Sequence, residues 1–529
     1  MARVLINEPI DAAGVAILQR DHEVVQHDYS AEELPSVIGG FDALVVRSAT
    51  QVTAAVLAAG RRLQVVGRAG VGVNNIDVAA ATDRGIVVVN VPDGNTIAAA
   101  EHTFALMLAL VRHIPAATAK VRAGGWDRHG FMGHELNGKT LGVVGLGRVG
   151  QEVSKRAQAF QMRVVGYDPY LPPERAESLG IRFLPFDEVL RSADILTVHT
   201  PLTKQTQGLI GARELGMLRP GAMVLNAARG GIIRETDLLD ALRTGHLAGA
   251  ALDVFEEEPP VGNPLLQLPN VVVTPHLGAS TEEAQVQCAI DVARYVSSVL
   301  AGEPVQTAVN LPALAPGDWD HVQRLLPLAE LLSCLYIQAI AAPLGDVEIT
   351  SAELPGRAAE WVTSAVLKGL LTGLLEDVVN LVNARSLAKQ NGISVSFTHI
   401  PDMNPLELRL RIRSGAEDHT LTGSVQPDGS LRVTNFDGLP IEMTPSRYML
   451  VTRHHDRPGL IGGVGTLLGQ AGVNIAAMLV GRASVRGEAV MVISVDDPVS
   501  DQTLTDLRSL PNMGLVRRVE LPTALVARR

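Results

Sequence analysis

Three segments of this 529-residue chain place reactive side chains directly after β-branched or apolar runs: NAARGG carries Arg229, LDVFEEEPP carries Glu258 and VVVTPHLGAS carries His276. A guanidinium binds a carboxylate through parallel N–H bonds, so Arg229 would orient an acid substrate. A carboxylate bonded to an imidazole fixes its tautomer and stabilises its protonated form. A Glu258–His276 pair would therefore take a proton from an alcohol and hold it. Each residue alone has a plainer reading. A single arginine in a Gly turn is ordinarily a surface residue, a run of glutamates is ordinarily a solvated loop, and a histidine at a strand end ordinarily caps or packs. Glu256 and Glu257 keep that plainer reading, and sequence spacing does not decide whether Glu258 meets His276.

Gly145-Leu146-Gly147-Arg148-Val149-Gly150 follows the run TLGVV and opens the helical pattern VGQEVSKRAQAF. In such a turn the first glycine permits the bend, the second lets the backbone approach a pyrophosphate, and the third lets helix and strand pack closely. Asp168 ends the next run, RVVGYD, where a carboxylate would accept from a ribose 2′-OH and repel a 2′-phosphate. NAD is thereby favoured over NADP. The other Gly-rich stretch, Gly463 to Gly469, has the wrong spacing and reads as helix packing.

The elements that must position these residues are short β-branched runs alternating with helical segments from residue 1 to about 305. Near-continuous apolar strands predict parallel sheets covered on both faces, and their number predicts two α/β lobes. The helical pattern from Thr96 to His113 would cross between the lobes, and the chain would return to the first from Ser280. Ser280-Thr281-Glu282-Glu283 fits a capping box just after HLGA. VNLPALAPGDW, 309 to 319, reads as a linker. Beyond it come helical stretches (VQRLLPLAELLSCLYIQAI and VLKGLLTGLLEDVVNLVNARSLAKQ), then strand-like runs, and from 447 a βαββαβ order that predicts a small ferredoxin-like domain.

Composition narrows the functions. The formal net charge is -11 and no run of five like charges occurs, so nothing offers a footprint for nucleic acid or an anionic membrane. A small anionic substrate would need a local basic pocket. No apolar run reaches membrane-spanning or signal length. Cys288 and Cys334 are the only cysteines; they provide neither a disulfide framework nor a metal site and fit a reducing cytoplasm.

Taken together, GLGRVG with Asp168, NAARGG, LDVFEEEPP and TPHLGAST resemble the signature of NAD-dependent D-2-hydroxyacid dehydrogenases, most nearly the phosphoglycerate-oxidising branch. The resemblance implies that His276 is the acid/base, Glu258 its partner and Arg229 the carboxylate clamp. It assigns NAD to Gly145, Gly147, Arg148, Val149, Gly150, Asp168, Thr200, Ala227, Ala228, Arg229, Asp253 and His276, Leu277, Gly278 and Ala279, with Val71 from the other lobe. Arg47, Ser48, Arg68 and Asn95 would meet substrate. Asn74 stands where the family commonly has Asp, and Val71 where it often has Thr. The implied reaction is 3-phospho-D-glycerate with NAD to 3-phosphohydroxypyruvate, the first step of L-serine biosynthesis. Another D-2-hydroxyacid dehydrogenase, a 2-oxoglutarate reductase, or a non-catalytic NAD- or amino-acid-sensing regulator are the alternatives.

The C-terminal third resembles the long form of that branch, with an intervening domain and an ACT domain. HHDRPGLIGGVGTLLGQAGVNI matches the ACT loop, which implies L-serine as an effector at His454, Asp456 and Asn474. The domain division implied is 1–95 with 280–308 for substrate, 96–279 for NAD, 312–445 intervening and 447–529 ACT. WDRHGFMGHELNGK resembles a dimer arm, implying a homo-oligomer, at least a dimer and by analogy a tetramer.

Overall fold

The fold is taken from a computed structural model that describes residues 1–314, 317–354, 357–375 and 378–526. Residues 315 and 316 of the expected linker, and 376 and 377 of the second long helical stretch, lie outside the described residues. The first lobe holds β1 (Arg3–Ile6), β2 (Glu23–Gln26), β3 (Ala43–Val46), β4 (Val65–Arg68) and β5 (Val87–Val89), in the order β2-β1-β3-β4-β5. The second holds β6 (Thr140–Val144), β7 (Arg163–Tyr167), β8 (Arg182–Phe183), β9 (Ile195–Val198), β10 (Ala222–Asn226), β11 (Leu247–Leu252) and β12 (Val271–Val273), in the order β12-β11-β10-β9-β6-β7-β8. Every pairing in both sheets is parallel. Both lobes are thus Rossmann-like, and ALVV, TLGVV, ILTV and AMVLN are buried along their whole length, as strands covered on both faces require.

Strand order reverses between β1 and β3 in the first lobe and between β6 and β9 in the second. Crevices open at the carboxyl ends of strands at such reversals, and the expected catalytic residues Arg229, Glu258 and His276 follow the carboxyl ends of β10, β11 and β12 along the same edge of the second sheet. The crossing helix, Thr96–Val111, stops two residues earlier than expected because His113 takes a left-handed φ of 55° and redirects the chain into Ile114–Arg122. The returning helix is Glu282–Leu300. Its cap is Thr281, whose hydroxyl accepts from Ala284 N, one residue later than the expected Ser280.

The third sheet joins β13 (Asp346–Ser351), β14 (Val395–His399), β15 (Glu407–Ser414), β16 (Glu417–Val425), β17 (Leu431–Phe436) and β18 (Leu439–Met443) in the order β14-β13-β15-β16-β17-β18. The second long helical stretch is not continuous: helices Ala358–Leu371 and Ala384–Gln390 are separated. Before the second helix, Asn380 and Asn383 turn their side-chain oxygens onto nearby backbone N–H groups, which gives the chain an alternative to helix. The last sheet has β19 (Tyr448–His455), β20 (Ile475–Arg482), β21 (Glu488–Val495) and β22 (Met513–Glu520), antiparallel in the order β20-β21-β19-β22, with helices Leu460–Gln470 and Asp501–Arg508. That is the expected βαββαβ fold. One core runs through both C-terminal units, since Val451, Val492 and Val519 pack with Leu328, Leu332 and Trp361. No single helix among the described residues is long and apolar enough to cross a membrane.

Candidate active site

His276 and Glu258 meet: Nδ1 of the ring lies 2.8 Å from Oε2 of the carboxylate. An ionised carboxylate only accepts, so Nδ1 carries the hydrogen and Nε2 keeps its lone pair for a proton. Glu258 is held in turn by Phe255 N–H, which donates to Oε1 at 3.0 Å.

The turn that presents His276 does not hold itself. His276 has φ 55°, a left-handed conformation that costs a non-glycine residue about 1 to 2 kcal/mol. Three successive N–H groups offset that cost, and all three go to Asp253. His276 N donates to its carbonyl at 2.9 Å, Leu277 N to Oδ1 at 2.7 Å and Gly278 N to Oδ2 at 2.9 Å. The Thr274 hydroxyl and His102 Nε2 also reach Oδ1, at 2.6 and 3.1 Å. Burial pushes the Asp253 carboxyl up, but the bonds from His102, Thr274 and Leu277 outweigh it and hold the group below the ordinary range. Asp253, expected beside the nicotinamide, therefore also builds the turn.

Arg229 follows β10 on a bend closed by Asn226, whose side chain accepts from Ala228 N and donates to Arg229 O. Burial lowers the Arg229 guanidinium from its usual value, and the Glu258 charge partly opposes this. Across the cleft, a Cβ added to Gly72 would lie 3.0 Å from Arg229 Nη2, so the two lobes touch here. Arg68 is lowered by burial first and then by the positive charge of Arg229, and its enclosed Nε has no partner.

The loop Arg47 to Thr50 is shaped by Glu8, which follows β1. Its carboxylate accepts from Arg47 N at 3.0 Å, Ala49 N at 3.2 Å and Thr50 N at 2.8 Å. Burial raises the Glu8 carboxyl, but these bonds, Thr50 foremost, bring it below the ordinary value. Asn75 closes the same loop by donating to the carbonyls of Arg47 and Thr50. Its neighbour Asn74, the departure noted in the sequence, is exposed. Glu8, Asn75 and His102 were missed by sequence reasoning, because each acts on a loop remote in the chain. For Glu8 and His102 the signal was a position just beyond a strand or near the start of the crossing helix.

The three glycines of GLGRVG separate by what surrounds them. Gly145 has φ 93° and lies against His199 O, Gly147 has open space where a Cβ would stand, and a Cβ on Gly150 would strike the carbonyl of Gly145. The opening over Gly147, with the enclosed and unpartnered Thr200 hydroxyl nearby, fits a dinucleotide pyrophosphate. Asp168 accepts from Leu146 N and Tyr170 N, one bond per oxygen, which leaves lone pairs for a ribose hydroxyl. Burial pushes His199 down to about 4, so it stays neutral and does not compete with His276. Arg148 reaches Asp93 in PDGNT at 2.5 Å, an exposed pair that bridges the lobes. Val71 O accepts from Asn90, Ala279 O accepts from Gln285, and Asn95 stands at the start of the crossing helix without a capping bond. Val149, Ala227 and Ala228 pack partly buried against the second lobe's core.

A cavity of about 400 Å³ lies against the pair, lined by Phe255, Glu258, Pro259, Val273 and His276. A larger one, about 610 Å³, lies away from this chemistry, between the first lobe and the intervening unit.

A D-3-phosphoglycerate dehydrogenase from Synechocystis sp. is 44% identical, covering 98% of this chain and 95% of its own. The chain belongs to the D-3-phosphoglycerate dehydrogenase family. Relatives of the same name from Archaeoglobus fulgidus and Bacillus subtilis are each 42% identical over 98% and 99% of this chain. The family model for the NAD binding domain of D-isomer specific 2-hydroxyacid dehydrogenases matches residues 104–278. Those for the D-3-phosphoglycerate dehydrogenase intervening domain and the ACT domain match 321–437 and 448–512. Among solved structures, TT0316 from Thermus thermophilus is 36% identical with a TM-score of 0.53, over 58% of this chain and 99% of its own. A D-lactate dehydrogenase from Aquifex aeolicus, solved with NAD and lactic acid, is 25% identical with a TM-score of 0.52, over 57% of this chain and 96% of its own.

The effector residues expected from the resemblance are less gathered. Asp456 bonds Arg482 at 2.8 Å and Asn474 bonds Asp496 at 2.6 Å, both near the surface. Strand alternation turns His454 inward, only 5% exposed, with Nδ1 3.2 Å from the Thr452 hydroxyl; burial lowers its imidazole from the usual value and the Asp456 charge partly opposes this.

Proposed function

We propose that the chain oxidises 3-phospho-D-glycerate to 3-phosphohydroxypyruvate, using NAD. The observation that carries this reading is the placement of two half-buried guanidiniums, Arg68 against Gly70 and Arg229 against Gly72, at the cleft that also holds the His276–Glu258 pair. Two cations in one cleft fit a substrate with two anionic ends. Arg229 orients the carboxylate, while Arg47, Ser48 and Arg68 receive the phosphate, with Asn95 at the hinge. His276 Nε2 takes the C2 hydroxyl proton, and Glu258 at Nδ1 stabilises the imidazolium. NAD, bound along Gly145, Gly147 and Gly150 with Asp168 at its ribose, supplies the hydride acceptor. Arg148, Val149, Thr200, Ala227, Ala228, Asp253 and the turn from His276 to Ala279 line its path, and Val71 faces it from the other lobe. Closure of 1–95 with 280–308 onto 96–279 brings the alcohol carbon between imidazole and acceptor.

The ACT unit, 447–529, serves as a regulatory module for L-serine through His454, Asp456 and Asn474, and 312–445 connects it to the catalytic lobes. Trp126 and Met132 are 80% and 79% exposed on the segment resembling a dimer arm, which supports a dimer; a tetramer and a cytoplasmic location follow from the family resemblance. NADH formation tests the main reading. 3-Phosphoglycerate should be oxidised with kcat/KM well above that for glycerate, lactate or 2-hydroxyglutarate. No turnover with it, or a clear preference for an unphosphorylated acid, rejects the assignment. Serine titration should lower the rate, and an unchanged rate and assembly state removes the regulatory claim.

A further inference from the structure

Asp253 is 1% exposed, and its carboxylate collects Leu277 N, Gly278 N, the Thr274 hydroxyl and the ring of His102. The first three donors belong to the turn that carries His276. The fourth comes from the helix that crosses between the lobes, from the second turn after its start at Thr96. Because a carboxylate accepts only, His102 Nε2 is the donor. The same nitrogen lies 3.1 Å from the Thr274 hydroxyl, whose own hydrogen is given to Asp253. Three residues before His102, Ala99 occupies the same helix face and lies within van der Waals reach of a Cβ built on Gly278. One face of the crossing helix therefore rests on the acid/base turn. The same helix begins at Thr96, the last residue of PDGNT, where Asp93 meets Arg148.

We propose that His102 is a positioning residue for the His276–Glu258 pair, acting through Asp253. It touches neither Glu258 nor His276. By donating to the buried carboxylate it helps hold that group where its oxygens capture Leu277 N and Gly278 N, and so keeps His276 in its left-handed conformation. It also ties this geometry to the interlobe helix, so that lobe closure carries the imidazole in fixed relation to the hinge. The inference rests on the reading of His276 as the acid/base.

Glutamine extends its amide to about the place of Nε2, phenylalanine fills the ring volume without a donor, and asparagine reaches only the Nδ1 position. In the full chain with 3-phosphoglycerate, His102→Phe should lower kcat about 10- to 100-fold, the scale of a small misplacement of a catalytic group. KM and NAD affinity by fluorescence should stay within about threefold, because an interaction felt in the transition state alone changes kcat. His102→Gln should recover most of the loss. In a cycle with Asp253→Asn, adding His102→Phe should lower kcat little further, because both act on one contact. If His102→Phe does not fold, His102→Asn takes its place and must show the same low kcat. Full kcat in the donor-free variant, a Gln variant no better than it, or multiplicative losses in the double variant overturns the proposal. Inactivity of the unmodified chain would instead reject the assigned reaction.

Discussion

Two loops, one on each lobe, are each shaped by a carboxylate from another strand end. Arg47 to Thr50 wraps Glu8, and Thr274 to Gly278 wraps Asp253. Their donors differ. Glu8 takes three backbone N–H groups and is half-buried, so it acts as the filling of an anion-sized nest. The nest is occupied by the protein itself, so in the proposed reading phosphate falls to the side chains of Arg47, Ser48 and Arg68. Asp253 takes two backbone N–H groups, a hydroxyl and an imidazole, and it is buried outright. In the proposed reading one carboxylate shapes a binding surface, whereas the other aims a proton acceptor.

That contrast predicts losses of different size and kind. His276→Ala should lower kcat most, by about 100- to 10,000-fold, the usual worth of a positioned acid/base, while NAD affinity by fluorescence changes little. Residual activity above a tenth of the unmodified rate would remove His276 from the chemistry. Asp253→Asn places an amide where Leu277 or Gly278 now donates, so the turn loosens. We expect kcat to fall about 100-fold, as for a misplaced catalytic group, together with weaker NAD binding. Steady-state kinetics showing a KM effect alone would place Asp253 with the binding loops instead.

Glu8→Gln should act on the other side of the cleft. It turns an N–H donor toward one of three donors and disorders the loop that carries Arg47 and Ser48. KM for 3-phosphoglycerate should rise about tenfold with kcat nearly kept, the signature of lost uniform binding. A matched test with an unphosphorylated hydroxyacid should show a smaller rise. Equal losses for both substrates would mean that the loop does not read phosphate.

Much of this architecture was legible in the sequence, for reasons that differ by region. Fully buried parallel strands such as TLGVV and AMVLN announce themselves by composition, and GLGRVG by its glycines. Arg229, Glu258 and His276 stood out because each follows a strand. Glu8 in INEP and His102 in AEHT did not, because their work is done on residues 39 to 42 and 151 positions away in the chain. The left-handed φ of His276 was hidden because nothing local favours it, and its cause lies at Asp253. The burial of His454 was not foreseen, because family position was taken over without the strand alternation that turns it inward. The broken helix after residue 371 was hidden by Leu- and Val-rich periodicity, which outweighed the competing asparagines.

The smallest expected effect is on stability, and its sign follows from the same two carboxylates. Both are held below their ordinary values of 4.5 for Glu8 and 3.8 for Asp253. A group whose folded value is depressed binds fewer protons in the folded state than in the unfolded one. Its contribution is complete above the ordinary value and is lost as pH falls through the folded value. Thermal unfolding should therefore be insensitive to these two groups at neutral pH and should lose stability below about pH 4.5, first through Glu8 and then through Asp253. Glu8→Gln and Asp253→Asn remove the titrating groups, so each should flatten that acid slope while lowering the neutral plateau. Asp253→Asn should lower it more, because its four donors are buried with it and lose an ionic acceptor. An unchanged slope in both variants would mean that neither carboxylate holds its loop by charge, and the contrast between the two loops would then rest on shape alone.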